Sequence, residues 1–173
     1  MKNKQKNVSV DIECDGLIIG RHNMISFGAV IIENGLKRTF YREIKPLTND
    51  YNPESLAISG FTREQTINFS SALQAMLDFD LWLKENIDGK PIFWADNNGF
   101  DFAWINYYFL SLLGYNPFGH SSRRISDFIC GLEKDLRFKW KHLRKTKHTH
   151  IAIEDAIANA EVLLQYFEKF NIK

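Results

Sequence analysis

Apolar and polar positions alternate with period two from Val8 to Glu13, with Val8, Val10 and Ile12 set against Ser9, Asp11 and Glu13. That pattern predicts a strand, and Asp15-Gly16 stops it. Residues i and i+2 of a strand share a face, so Asp11 and Glu13 project together near the strand's end. Met24 to Ile32 is a longer apolar run rich in β-branched residues and predicts a second strand. Glu33-Asn34-Gly35 supplies a hairpin turn, and Lys37 to Ile44 alternates again as a third strand. Links this short predict an antiparallel start to a sheet.

The segment from Pro46 to Gly60 carries several turn formers and is expected to be irregular, with a helical turn over Glu54 to Ile58. Thr62 followed by Glu64 and Gln65 opens a short helix. Ser70 or Ser71 then caps a stronger one, whose stripe is Leu73, Met76, Leu77, Phe79, Asp80, Leu81 and Leu83. Lys90 to Ala95 suits a buried strand, and after Asp96-Asn97-Asn98-Gly99 a nearly continuous apolar helix runs from Phe100 to Leu113, with Gly114 as its C-terminal cap. Arg124-Ile125-Ser126-Asp127 predicts a short strand, Phe128 to Leu136 a helix, and Arg137 to His150 an irregular basic segment. Ile151 to Phe170 is the final amphipathic helix, expected to bury Ala152, Ala156, Ala160, Leu163, Leu164 and Phe167. The order fits an α/β fold with a mixed β-sheet flanked by helices, in a single domain over residues 8–170 behind a flexible polar tail over residues 1–7.

Composition narrows the classes. Hydrophobic residues at 45% and charged residues at 25% match a globular chain and argue against disorder. No apolar run approaches the roughly 20 residues needed to span a membrane, and the polar N-terminus has no signal-like apolar region, so a cytoplasmic protein with no membrane partner is expected. Cys14 and Cys130 have no Cys or His partner at zinc-ligand spacing and are expected to be reduced thiols. The net charge of +1 excludes a broadly polybasic protein, yet cations are concentrated locally. Nine Lys and Arg residues lie between Arg123 and Lys147 against Asp127, Glu133 and Asp135, with Phe138 and Trp140 interleaved. That mixture suits phosphate contacts combined with base stacking on single strands.

Two carboxylates as close as Asp11 and Glu13 share a cation, share a proton or face water, because like charges repel strongly at low dielectric. Asp101 lies just beyond the strand ending at Ala95, where sites form in α/β sheets. Asp155 falls in the first turns of the last helix, and the small residues Ala156 and Ala160 let that helix approach a sheet closely. His150 precedes it by about a turn. Each also fits a plainer role: Asp101 as an acid at a helix N-terminus, and His150 as one of several histidines, with His142 and His148, in a basic loop.

In order, Asp11-x-Glu13, Asn97-x-x-Phe100-Asp101 and His150-x-Ala152-x-x-Asp155-Ala156 resemble the DEDDh (DnaQ-like) 3′-to-5′ exonucleases, which include the replicase proofreading subunit, RNase T and oligoribonuclease. Ile58-Ser59-Gly60-Phe61-Thr62 and Arg124 to Asp127 are similar to further segments of that family. Cys14 stands where the family often has Thr, and Asp96 where it commonly has His. The resemblance implies an RNase H-like fold and hydrolysis at the 3′ end of single-stranded RNA or DNA, releasing nucleoside 5′-monophosphates. It also implies two divalent cations, with Asp11 bridging and Glu13, Asp101 and Asp155 completing the ligands, and His150 as general base. Oxygen-only ligation favours Mg2+ or Mn2+. Substrate contacts are expected at Cys14, Gly16, Phe61, Phe100, Lys139, Trp140 and Lys141, and the apolar helix after Asp101 suits a homodimer, since family members include dimers. A catalytically idle nucleic-acid-binding module of the same fold has no need of mutually repelling acids beside a base.

Overall fold

The computed structural model describes residues 6–172. At its centre is strand β1 (Lys6–Cys14), in a five-stranded sheet of order β3-β2-β1-β4-β5. β2 (Met24–Ile31) runs antiparallel to β1, with Asp11 opposite Gly28, and β3 (Thr39–Glu43) runs antiparallel to β2. β4 (Pro91–Ala95) and β5 (Ser122–Arg124) extend the other side in parallel, making the sheet mixed. Helices α1 (Pro53–Ile58), α2 (Arg63–Thr66), α3 (Ala72–Asn86), α4 (Asn98–Leu113), α5 (Ile125–Glu133) and α6 (Ala152–Lys169) complete the domain.

Alternation along the strands divides the core into two layers. Val8, Val10 and Ile12 pack with Phe27, Ala29, Ile31 and Phe93 beneath α3 and α4. Phe79 of α3 anchors that layer, its ring centre 5.0 Å from both Phe27 and Phe40. Val30, Ile32 and Trp94 face the other way, toward α5 and α6. Asp11 and Glu13, in phase with Val30 through the β1–β2 register, therefore emerge on the α6 side. Gly28 makes this possible, because a Cβ there would overlap the backbone of Ile153. With hydrogen in that place, and with Ala152, Ala156 and Ala160 fully buried, the first turns of α6 lie directly on the sheet beside Asp11.

Several expectations shift. Strand β1 begins at Lys6, so Lys6 and Asn7 belong to the sheet, and the remainder of the expected tail, residues 1–5, lies outside the described residues. β3 starts at Thr39 because Gly35 and Leu36 take left-handed backbone, at φ 84° and 44°, in a connection longer than two residues. Thr62 does open a helix, with the reciprocal Thr62–Gln65 capping box, and Ser71 rather than Ser70 caps α3. α3 turns Ala72, Ala75, Met76, Phe79 and Leu83 inward, which leaves Leu73, Leu77 and Leu81 on the exposed side. β5 ends at Arg124 and α5 begins at Ile125, three residues earlier than expected. Ile125 is buried in the second layer, so Asp127 sits in a first helical turn and pairs with Arg124 at 2.9 Å. Much of the apolar character of α4 serves the core, with Trp104, Ile105, Tyr108 and Phe109 fully buried. Among the described residues no helix is long and apolar enough to cross a membrane.

Candidate active site

Three elements deliver acids to one end of the sheet. From β1 come Asp11 and Glu13, and from the first turn of α6 comes Asp155; carboxylate oxygens of these three lie within 4.8 Å of one another. From the opposite face, α4 brings Asp101, which is 4% exposed and whose Oδ2 is buried without a hydrogen-bond partner. Asp155 is held by the chain that precedes its own helix: its carboxylate accepts the backbone N–H groups of Thr149 at 3.3 Å and His150 at 3.1 Å. His150 takes left-handed backbone, at φ 57°, and its half-exposed ring places Nδ1 3.8 Å from Glu13 Oε1.

The electrostatics follow from crowding. Asp11 is half-buried by surface exposure, and burial pushes its carboxyl well above the usual range. Asp101, Glu13 and Asp155 add to that push, and Arg144 opposes it. Burial, then Asp155 and Asp101, raise Glu13 to about 8. Asp101 is also raised to about 8, by burial and then by Asp96, against backbone N–H groups of Asn97 and Ile12. Glu13 and Asp101, so placed, hold protons at neutral pH unless a cation replaces them. The orphaned Asp101 oxygen and the convergent oxygens of Asp11, Glu13 and Asp155 fit an oxygen-ligated divalent cation, which these four residues could hold.

Two residues at the site were not singled out by the sequence as functional. His148 lies with Nδ1 2.8 Å from Asp155 Oδ2, its ring 4.2 Å from that of His150. Its place two residues before His150 was the available signal. Arg144 had no signal distinguishing it from eight neighbouring cations, yet its side chain is 9% exposed.

The expected substrate contacts separate into two groups. Trp140, expected to stack on a base, is 2% exposed in the second core layer, with its indole N–H donated to Ser126 Oγ at 2.9 Å. Its large apolar surface goes into the core instead. Cys14 is likewise buried among the first layer, and burial raises its thiol to about 11. Gly16 is buried, its Cα against the His22 ring. Phe61 and Phe100 are half-buried, at 5.0 Å from Phe69 and 6.2 Å from Trp104. Lys139 is exposed, and the exposed Lys141 places Nζ 2.5 Å from Asp96 Oδ2.

A family model described as the 3′-5′ exoribonuclease Rv2179c-like domain matches residues 6–167. The chain belongs to this family of 3′-5′ exonucleases. The 3′-5′ DNA exonuclease Cap18 of Escherichia coli is 30% identical over 183 aligned positions, which cover 98% of this chain and 95% of that protein. Among solved structures, the nuclease domain of 3′hExo, a DEDDh family member bound to rAMP, superposes with a TM-score of 0.76 at 17% identity, covering 95% of this chain and 92% of that one. E. coli Exonuclease I with a dT13 oligonucleotide gives 0.75 at 16% identity, covering 97% of this chain and 43% of that one. The same enzyme with single-stranded DNA is also known in a zinc-ion-bound form, at a TM-score of 0.71. The fold of the Rv2179c-like chain is thus the RNase H-like fold of the DEDDh exonucleases.

Proposed function

We propose that this Rv2179c-like chain removes nucleoside 5′-monophosphates from the 3′ end of single-stranded nucleic acid, at a site where Asp11, Glu13, Asp101 and Asp155 hold two divalent cations, Mg2+ or Mn2+. The observation that carries this reading is the convergence of carboxylates from β1, α4 and α6, one of them with a buried oxygen bonded to nothing. Bound there, such cations supply Lewis acidity to the phosphate and a lowered pKa to the attacking water.

The chain's own residues do the rest. Asp11 would be the central ligand, since it stands on β1 with the oxygens of Glu13 and Asp155 within 4.8 Å, between the elements that carry Asp101 and Asp155. His150, half-exposed beside Glu13, takes the proton of the attacking water at its imidazole. The backbone N–H groups of Thr149 and His150 fix Asp155, so the segment that carries the base also orients a ligand. Phe61 and Phe100 contact the terminal nucleotide, and Lys139 and Lys141 contact phosphates upstream. The cations of segment 137–147 favour a polyanion, and nothing in their chemistry selects ribose over deoxyribose. The family description names an exoribonuclease and Cap18 is named a DNA exonuclease.

A time course on 3′- and 5′-labelled RNA and DNA of one sequence, with manganese, magnesium or chelator and with Asp11→Ala as control, tests the proposal. A metal-dependent ladder from the 3′ end, absent in the variant, is expected on at least one sugar. Binding without cleavage under every condition would instead identify an idle nucleic-acid-binding module.

A further inference from the structure

Arg144 is handled differently from the other cations of its segment. Its side chain is 9% exposed, whereas that of Lys141 is 63% exposed. The guanidinium lies over the ring of buried Trp140, 5.0 Å from its centre. From there Nη2 donates to Asn159 Oδ1 at 2.5 Å and lies 3.6 Å from Asp96 Oδ2. Both contacts lead to the site. Asn159 is fully buried on α6 one turn beyond Asp155, on the same helix face. Asp96 follows the last residue of β4 and, after burial itself, is the largest influence raising Asp101. One planar cation therefore reaches both α6, which carries Asp155, and the turn that leads from β4 into α4, which carries Asp101.

We propose that Arg144 is a positioning residue of the nuclease site: its guanidinium clamps the turn between β4 and α4 to α6 and thereby fixes Asp101 and Asp155 relative to each other across Asp11. This deepens the nuclease reading above and rests on it. The clamp requires a planar fork, because a lysine ammonium is a point charge that cannot lie flat on an indole while reaching both Asn159 and Asp96. Direct repulsion of an incoming ion by a fixed cation works in the other direction. Because Arg144→Met removes a charge as well as the fork, a substitution that changes no charge is needed to isolate the geometry.

Manganese is titrated calorimetrically into the wild-type chain and into Arg144→Met, Arg144→Lys and Asn159→Ala, with unfolding temperatures of the metal-free proteins. Turnover of a 3′-labelled oligonucleotide is measured alongside. Arg144→Met keeps the bulk and loses the fork, and manganese affinity should fall by about 10- to 100-fold, as for other groups that orient a metal's ligands. The kcat should fall by the same order with KM little changed, and Arg144→Lys should fail to rescue either. Asn159→Ala removes one arm with no change of charge, at a helical position where alanine is well tolerated, and should weaken manganese in the same direction. It keeps the test decisive if Arg144→Met fails to fold. Manganese binding as tight as wild type or tighter in both neutral variants overturns the proposal, and so does full rescue by lysine. A wild-type chain that binds manganese but cleaves nothing counts against the nuclease reading, while the manganese comparison still decides the clamp.

Discussion

Replacing Gly28 by alanine adds one methyl group between β2 and α6. That Cβ would stand 2.7 Å from the carbonyl carbon of Ala152 and nearer still to the backbone of Ile153, whereas ordinary contact begins at 3.4 Å. Both partners are backbone, so neither side can yield by rotating a side chain, and the start of α6 must retreat by about 1 Å to restore ordinary contact. Overpacking of this kind costs about 1–3 kcal/mol, which corresponds to several degrees in Tm for a chain of this size. The larger effect falls on the site. Gly28 pairs with Asp11 across the β1–β2 ladder, while the displaced turn carries Asp155 and follows directly on His150. A misplacement of about 1 Å in a reacting constellation costs roughly 100-fold in rate. Gly28→Ala should therefore lose about two orders of magnitude in kcat while remaining folded by circular dichroism. A folded Gly28→Ala protein with wild-type turnover and manganese affinity would refute the claim that close approach of α6 sets the spacing of the acids.

Glu13 and Asp101 are both raised to about 8 in the folded chain, from ordinary values of 4.5 and 3.8. The metal-free folded state therefore holds protons that the unfolded state releases, so the stability these two groups contribute is fully present below about pH 4 and is lost as pH rises toward 8. Chemical denaturation in chelator across that range should show the decline, and saturating manganese should flatten it; a chelated protein most stable at pH 8 would contradict the assignment. His150→Ala should lose about 10²- to 10⁴-fold in kcat as a missing general base, with manganese affinity little changed by calorimetry, and an active variant would move the base elsewhere. Lys139→Ala should weaken binding of a single-stranded oligonucleotide and lower the slope of log K against log salt by about 0.7. Lys141→Ala should do so by less, because its ammonium already pairs with Asp96; equal losses from the two would mean that this pair opens on binding.

Much of the sheet was legible because its strands alternate or form short apolar runs, and because Asn34-Gly35 and Asp88-Gly89 punctuate them. The meeting of the four acids was legible only through their order along the chain, since contact between β1, α4 and α6 is a property of topology and not of any local pattern. Trp140 illustrates what is hidden. Its neighbours Lys139 and Lys141 are charged and exposed, and only Ser126 and Arg144, distant in sequence or indistinct among cations, reveal that it is core. The leucines of α3 show the converse: periodicity offered a stripe wider than the sheet could cover, and the aromatic layer around Phe79 selected which part to bury. Arg144 was unreadable because burial, the property that sets it apart, depends on α6 and β4 together.

The proposed nuclease chemistry depends on Asp11, Glu13, Asp101 and Asp155 forming one divalent-cation site. Anomalous diffraction at the manganese edge, from crystals soaked in manganese with a nucleoside 5′-monophosphate, tests it most directly. Two peaks enclosed by these four carboxylates are expected, with the nucleotide's phosphate against them and His150 turned toward it. Manganese bound elsewhere, or no peak among these carboxylates in a chain that still cleaves nucleic acid, would contradict it.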